Sequence, residues 1–122
     1  MSTIALGAEN FERTLNEHEI VFVDFWASWC GPCRQFAPVY EMASATHPDV
    51  VFGKVDTEAE RGLAQAAQIT SIPTLMAFKN GTLVFSQPGA LPASALEQVI
   101  AAVRAWDPPR ERREGAGAQR SA

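Results

Sequence analysis

The stretch "WASWCGPCRQFAP", Trp26 to Pro38, contains both cysteines of the chain, Cys30 and Cys33, with only a glycine and a proline between them. Such a pair can be a structural disulfide, half of a metal site or a reactive dithiol. A structural disulfide here would close a loop of about four residues, which is worth only about 2 kcal/mol in the chain-entropy model. The chain has 122 residues and is 47% apolar, enough for a packed core without a disulfide. The pair is therefore poorly placed as a structural crosslink.

A metal site is also disfavoured. A closed zinc site needs more ligands than Cys30 and Cys33 supply. The only histidines, His18 and His47, stand alone in the sequence and match no zinc-binding spacing, so we expect no metal. The chain also lacks the G-x-G-x-x-G pattern of dinucleotide-binding folds, so we expect it to bind neither NADPH nor flavin as a cofactor.

The amino-terminal sequence "MSTIALGAENFERT" has no basic residue ahead of its short apolar run, which stops at Gly7. It therefore predicts neither a secretion signal nor an anchor. No segment approaches the roughly 18 consecutive apolar residues that span a bilayer. These features predict a cytoplasmic protein with no membrane partner. Because bulk thiols stay reduced in that compartment, a vicinal cysteine pair there favours catalysis or redox sensing over a structural role.

Charge is distributed unevenly between the body and the end of the chain. Residues 1–107 carry six basic and twelve acidic residues, whereas residues 108–122 carry four arginines and two glutamates. An acidic body argues against nucleic acid as a partner, since phosphate contacts require clustered cations. The final segment, "PPRERREGAGAQRSA", is too polar and too rich in small residues to bury a core. We predict one folded domain over residues 1–107 and a disordered, Arg-rich tail over residues 108–122.

The first half of the body alternates strands and helices. The almost continuously apolar run "IVFVDFWA" (Ile20–Ala27) predicts a strand buried on both faces of a sheet. A short strand "STIAL" and a helix over about residues 8–17 precede it, and a helix over about residues 33–45 follows the cysteines. The next apolar run, "VVFGKVD" (Val50–Asp56), completes a β-α-β unit, so the two buried strands are predicted to be parallel.

The second half changes to an antiparallel pattern. After a helix around "EAERGLAQAA", the stretch "PTLMAFKNGTLVFSQPG" predicts two strands joined by a tight turn at Asn80 and Gly81. A last helix is predicted over about residues 93–106, where Ser94 and Glu97 have the spacing of a capping box. The predicted fold class is α/β, with a five-stranded mixed sheet flanked on both faces by four helices.

Four motifs in this order resemble the thioredoxin family: "VDFWASWCGPC", "KVD", "SIPTLMAFKNG" and "PGA". A lone C-x-x-C is weak evidence, but this one follows a buried strand and has an Ile-Pro-Thr sequence about forty residues downstream. The resemblance covers residues 2–106 and implies the thioredoxin fold. The sequence departs from the family at Ser28, where many members carry a charged residue, and in the proline that directly precedes Gly89.

The cysteines lie where the predicted central strand ends and a helix begins. Unpaired N–H groups and the helix dipole there stabilise a thiolate at Cys30, which makes it the expected nucleophile with a lowered pKa. Cys33, one turn into the helix, is expected to be more buried and to resolve the mixed disulfide, forming a Cys30–Cys33 redox disulfide. Gly31 is expected to allow a tight turn. Pro32 suits the first helical turn, where its missing N–H costs nothing.

Asp24 interrupts the buried apolar strand, where loss of hydration should raise the pKa of its carboxyl group. It is either a strand-end residue that reaches water or a buried proton acceptor near Cys33. The resemblance to thioredoxin implies the second role, in which Asp24 takes the proton from Cys33. It also implies that Lys54, on the neighbouring strand, modulates Asp24 by its charge. The alternative is that Lys54 extends from a sheet edge into water.

The remaining site residues come from the resemblance alone. It implies a cis peptide bond between Ile72 and Pro73 that faces the cysteines, with the backbone of Ile72 free to pair with a substrate strand. It also implies that Trp29, Gly89 and Ala90 form the rim of a shallow substrate groove. The alternatives are a trans-proline that opens an edge strand and a tryptophan that only covers the site.

The predicted function is that of a thiol-disulfide oxidoreductase that carries electrons and reduces protein disulfides through its Cys-Gly-Pro-Cys pair. The resemblance implies two kinds of partner, disulfide-containing client proteins and an NADPH-dependent thioredoxin reductase that restores the dithiol. We expect a monomer. Two alternatives stay open: a thioredoxin-fold binding adaptor in which turnover is incidental, and a disulfide oxidase or isomerase. The oxidase or isomerase is disfavoured because such families usually place a histidine between the cysteines.

Overall fold

The computed structural model describes residues 2–108 of the chain. The predicted disordered tail therefore lies outside the described residues, except for Pro108. None of the helices in the described part of the chain is both long enough and apolar enough to cross a membrane. The elements, in chain order, are β1 (Thr3–Ala5), α1 (Phe11–Glu17), β2 (Ile20–Trp26), α2 (Gly31–Thr46), β3 (Val51–Asp56), α3 (Arg61–Ala66), β4 (Thr74–Lys79), β5 (Thr82–Pro88) and α4 (Ala93–Ala105).

The strands form one mixed sheet in the order β1-β3-β2-β4-β5. β3 is parallel to both β1 and β2, whereas β4 is antiparallel to β2 and to β5. The parallel β2–β3 pair and the antiparallel β4–β5 hairpin confirm the predicted arrangement. At the hairpin turn Asn80 and Gly81 have φ angles of 52° and 80°, which only residues that tolerate the left-handed region adopt readily.

Side chains of β2 point alternately into two separate core layers. Phe22 packs with residues of α2 and α4, whereas Val23 and Phe25 pack on the other face with residues of α1 and α3. All four side chains from Phe22 to Phe25 are buried, which explains the nearly unbroken apolar run. The four helices flank both faces of the sheet, as predicted. Because side chains alternate along a strand, Asp24 lies on the same face as Phe22, under α2 and α4.

Two helices begin later than predicted because a side chain holds the preceding residues in a turn. The Gly7 N–H donates to Asn10 Oδ1 over 2.7 Å, and residues 8–10 form a turn ahead of α1. After β3, Asp56 Oδ1 accepts the backbone N–H of Glu58 at 2.9 Å, which delays the start of α3. Both side chains use the local backbone bonding that favours turns over helix starts.

The predicted capping box at the start of α4 is wrong. The N-cap residue is Pro92, and within residues 2–108 no side chain caps the helix. Ser94 therefore lies inside the first turn rather than ahead of it. Glu97 does not reach back to the helix start, because its Oε1 lies 2.8 Å from Nε2 of His47 at the end of α2. The side chain of Glu97 joins two helices instead of capping one.

A buried lysine holds the carboxyl end of α4. Lys79, the last residue of β4, is only 8% exposed. Its Nζ donates to the backbone carbonyls of Val103 (3.0 Å), Arg104 (2.6 Å) and Trp106 (2.7 Å). Carbonyls at a helix end have no donor within the helix, and a cation there also interacts favourably with the helix dipole. Lys79 pairs with Ile20 at the start of β2, so this contact lies at the end of the sheet remote from the cysteines.

Gly53 in β3 is a position where close packing requires glycine. A Cβ added there would lie 2.8 Å from Cγ of Leu6, a side chain that is itself buried. The Gly53 carbonyl also accepts the hydroxyl of Tyr40 at 2.8 Å, which limits how far the strand can shift. We predict that Gly53→Ala lowers the free energy of unfolding by about 1–3 kcal/mol, the usual cost of overpacking.

Urea denaturation measures this effect, and Leu6→Ala supplies a matched background. With the Leu6 side chain shortened, the added methyl group at position 53 has room, so the same glycine substitution should cost much less. An equal cost in both backgrounds would contradict the steric explanation.

Candidate active site

The two cysteines lie at the junction of β2 and α2, as predicted. Cys30 is the N-cap residue of α2, and the helix that follows continues without a break through Pro38. The two sulfurs form a disulfide bond. The backbone N–H of Cys33 donates to Cys30 Sγ over 3.1 Å. A first-turn N–H of the helix therefore points at the sulfur expected to become the thiolate, where it would stabilise negative charge.

The expected difference in burial between the cysteines is absent. Cys30 is 4% exposed and Cys33 is 3% exposed. Cys30 and Cys33 belong to one small cluster with Ala27, against which Trp26 and Ile72 pack, and both sulfur-bearing side chains are buried in it. Access to Cys30 in this oxidised form is therefore controlled by the residues around it rather than by its position ahead of the helix.

Gly31 and Pro32 form the first two residues of α2. Pro32 lies where the helix has no use for its missing N–H, as predicted. The prediction that Gly31 allows a tight turn is wrong. Gly31 is the first residue of α2, and its φ angle is not in the left-handed region. A Cβ added at Gly31 would meet no atom of the described part of the chain within 4 Å, so neither the turn nor the packing there requires glycine.

The Ile72–Pro73 peptide bond is cis, as the resemblance implies, and it lies beside the cysteines. Cys30 Sγ is 3.7 Å from the carbonyl oxygen of Ile72. Gly89 has a φ angle of 102° and donates its N–H to the Pro73 carbonyl over 2.7 Å. The structure therefore brings Ile72 next to Cys30, and Gly89 next to Pro73. Ala90, the next residue along the chain, is exposed.

Trp29 is a large exposed aromatic residue at the rim of the site, with 65% of its surface accessible. Its Nε1 donates to Oε2 of Glu58 over 3.3 Å. Nearby, Nη1 of Arg34 donates to the Ser28 carbonyl over 3.0 Å. These contacts hold the loop before Cys30 in place. Exposed aromatic surface fixed in this way is suited to contact another molecule.

Glu58 and Arg34 were not predicted from the sequence as part of the site. A signal for Glu58 was available, because it follows the end of β3 and Trp29 follows the end of β2. These strands are parallel, so their carboxyl ends meet at the same edge of the sheet. Arg34 had no comparable signal, since an arginine one residue after Cys33 is compatible with any solvated helix position.

Asp24 is 1% exposed, and neither of its carboxylate oxygens has a hydrogen-bond partner within the described part of the chain. Loss of hydration raises the pKa of Asp24 from 3.8 to about 7, and the positive charge of Lys54 opposes this rise. The alternative that Asp24 reaches water at a strand end is therefore wrong for this structure. A carboxyl group with a pKa of about 7 can accept or release a proton near neutral pH.

Lys54 lies directly opposite Asp24 in the register of β2 and β3. Because both oxygens of Asp24 lack partners, the two side chains do not form a hydrogen-bonded ion pair. Lys54 Nζ instead lies 4.8 Å from the centroid of the Trp26 ring, a cation–π contact. Trp26, the last residue of β2, is only partly buried. Within residues 2–108, no group of three or more His, Cys, Asp or Glu side chains could hold a metal ion.

Comparisons with known proteins agree on one family. The thioredoxin family model matches residues 2–102. A protein of Streptomyces coelicolor named "Putative thioredoxin 2" is 58% identical over 106 residues, a match that covers 87% of this chain and 79% of the relative. Thioredoxin-1 of Saccharomyces cerevisiae is 41% identical over 95 residues, which covers 78% of this chain and 91% of the yeast protein.

A solved structure agrees with the sequence comparisons. The solution structure of the oxidised thioredoxin from Plasmodium falciparum superposes with a TM-score of 0.74 at 40% identity. The match covers 83% of this chain and 96% of that structure. The cysteine pair of this chain is likewise joined in a disulfide. The chain therefore belongs to the thioredoxin family, and it is a thiol-disulfide oxidoreductase whose redox-active pair is Cys30 and Cys33.

Proposed function

We propose that this protein reduces disulfide bonds in client proteins and is returned to its dithiol form by an NADPH-dependent thioredoxin reductase. The observation that carries the proposal is the surroundings of the Cys30 sulfur. It accepts a first-turn N–H of α2 at 3.1 Å and lies 3.7 Å from the carbonyl of Ile72. A thiolate is stabilised at this position, and a peptide paired with the backbone of Ile72 would bring its own disulfide to the same sulfur.

In the first step the Cys30 thiolate attacks one sulfur of a client disulfide. A new S–S bond forms between Cys30 and the client, and the second client sulfur leaves as a thiolate that takes a proton from water. Trp29 supplies exposed apolar surface for the client, and the backbone of Ile72 supplies hydrogen bonds. Gly89 and Ala90, both exposed, complete the rim of the groove on the side of Pro73.

In the second step Cys33 attacks the Cys30 sulfur of the mixed disulfide. The proton of the Cys33 thiol passes to Asp24, the client's remaining sulfur leaves as a thiolate, and the Cys30–Cys33 disulfide forms. Asp24 suits this role because its pKa of about 7 lies near working pH and its oxygens have no other partner among the described residues. Lys54 limits how far burial raises that pKa.

Electrons reach the chain by exchange with another protein. The sequence contains no dinucleotide-binding motif, so the electron pair of NADPH has to arrive through a reductase that attacks the Cys30–Cys33 disulfide. Exchange with both reductase and client needs only a shallow apolar surface around Trp29 and Pro73 and brief, weak complexes, which suits a monomer that shuttles between them. We place this cycle in the cytoplasm, where such a reductant keeps protein thiols reduced.

The reduction potential of the Cys30–Cys33 pair tests the proposal. The oxidised protein is equilibrated against glutathione buffers, and the free thiols are counted. Thioredoxin has a reduction potential of about −270 mV and protein disulfide isomerase one of about −180 mV, a gap of roughly 4 kcal/mol. A value near the first supports a reductase. A value near the second would overturn the proposal and favour an isomerase or oxidase.

A further inference from the structure

We propose that Trp26 is a positioning residue that holds the ammonium group of Lys54 beside Asp24. The proposal rests on the role suggested above for Asp24 and extends it to a residue that does not itself react. Its basis is the short distance, 4.8 Å, between Lys54 Nζ and the centroid of the Trp26 ring. The face of an indole ring carries negative charge density and is the best of the aromatic faces at attracting a cation.

Lys54 shares its cleft with two acidic residues, so its side chain needs a restraint to stay beside Asp24. Lys54 and Trp26 line a cleft of about 310 Å³ at the β1 edge of the sheet, and the carboxylates of Asp56 and Glu60 line the same cleft. The lysine ammonium is a point charge on a flexible stem and can turn toward either carboxylate. Within the described residues Lys54 forms no ion pair with them, so its ammonium group stays over the ring.

The position of the Lys54 ammonium group affects the ionisation of Asp24. On β3 the facing residue is Lys54, and on β4 it is the apolar Leu75. Tyr40 of α2 packs in the same layer. Its hydroxyl donates to the Gly53 carbonyl and is therefore not engaged with the Asp24 carboxylate. α4 contributes apolar side chains to this layer, and Cys33 is held in the disulfide. Lys54 is thus the group whose charge opposes the effect of burial on Asp24.

The experiment is an NMR titration of the Asp24 carboxyl carbon in the oxidised protein. We compare the wild type with Lys54→Met, Trp26→Leu, Trp26→Phe and the double variant Lys54→Met, Trp26→Leu. Loss of the lysine charge should raise the proton affinity of Asp24. Trp26→Leu should raise it in the same direction, by about three- to tenfold, because the ammonium group moves away. Trp26→Phe keeps an aromatic face and should retain most of the wild-type value.

The double variant decides between positioning and general structural damage. If Trp26 acts through Lys54, then Trp26→Leu should cause no further change once the lysine is gone. An unchanged Asp24 titration in Trp26→Leu, or an effect that adds fully to that of Lys54→Met, would overturn the proposal. If the leucine variant does not fold, Trp26→Met, which is longer and more flexible, takes its place under the same criteria.

The titration separates this proposal from the function suggested for Asp24. It reads the carboxyl group directly and needs no client or reductase. A negative result would leave Asp24 as proton acceptor and remove only the role of Trp26. Conversely, an identical pH dependence of the disulfide-forming step in the wild type, Asp24→Asn and Lys54→Met would show that Asp24 is not the acceptor of the Cys33 proton. The titration would still test whether Trp26 positions Lys54.

Discussion

Cys30→Ser is expected to abolish disulfide exchange, with a loss of more than about a thousandfold, because the hydroxyl group cannot replace the attacking thiolate. Cys33→Ser is expected to stop the cycle one step later. Its Cys30 still attacks a client disulfide, but nothing resolves the mixed disulfide that forms. One client molecule should therefore stay bound covalently to each molecule of the Cys33→Ser variant and none to Cys30→Ser.

Mass spectrometry of each variant after incubation with an oxidised client protein measures this difference. The double variant with both serines is the matched control, since it shares the loss of the disulfide with each single variant. Covalent client on Cys30→Ser rather than on Cys33→Ser would reverse the roles assigned to the two sulfurs. Full cellular function of the double variant would instead support the binding adaptor, in which turnover is incidental.

Asp24→Asn is expected to stabilise the oxidised protein at pH 8 but not at pH 4. Burial raises the pKa of Asp24 from 3.8 to about 7, so the folded state keeps a proton that the unfolded state loses as pH rises above about 4. Stability of the wild type therefore falls between about pH 4 and pH 7, and the asparagine variant is spared this loss. A shift of about three pKa units corresponds to roughly 4 kcal/mol.

Denaturant unfolding of both proteins across this pH range gives the difference directly, because every other titrating group is common to the two. Asp107→Asn, which changes an exposed carboxylate near the end of α4, is the matched control and should show no comparable pH-dependent gain. A stability difference between wild type and Asp24→Asn that stays constant from pH 4 to pH 8 would mean that Asp24 is ionised equally easily in both states.

The order and type of the elements could be predicted because the sequence pattern and the environment agree along most of the chain. The run from Ile20 is apolar at nearly every position because both faces of β2 are covered. Asp24 could be identified for the same reason, since a carboxylate in such a run has nowhere to be hydrated. The position of the cysteines could be predicted because they lie at the junction between that strand and the next helix.

The remaining features depend on contacts between segments that are distant in sequence. Nothing local indicates that Glu97 binds His47 rather than capping α4, or that the Lys54 ammonium lies over Trp26 rather than on Asp24. At Gly31 a local signal is present, but it is misleading. A glycine beside a proline indicates a turn, yet here both residues are part of a helix. Local conformational preferences depend on a few neighbouring residues, whereas these side-chain contacts depend on how the helices pack on the sheet.

The bonding of Lys79 has a consequence for chemical labelling of the protein. Lysine occurs at only two positions in the sequence, 54 and 79. The ammonium group of Lys79 is buried and donates to three carbonyls, so reagents that acylate amines meet it in a protected state. Apart from the α-amino group, Lys54 is then the amine within reach. A dye or a solid support coupled through lysine would therefore be attached beside Trp26 and Asp24, next to the exchange site itself.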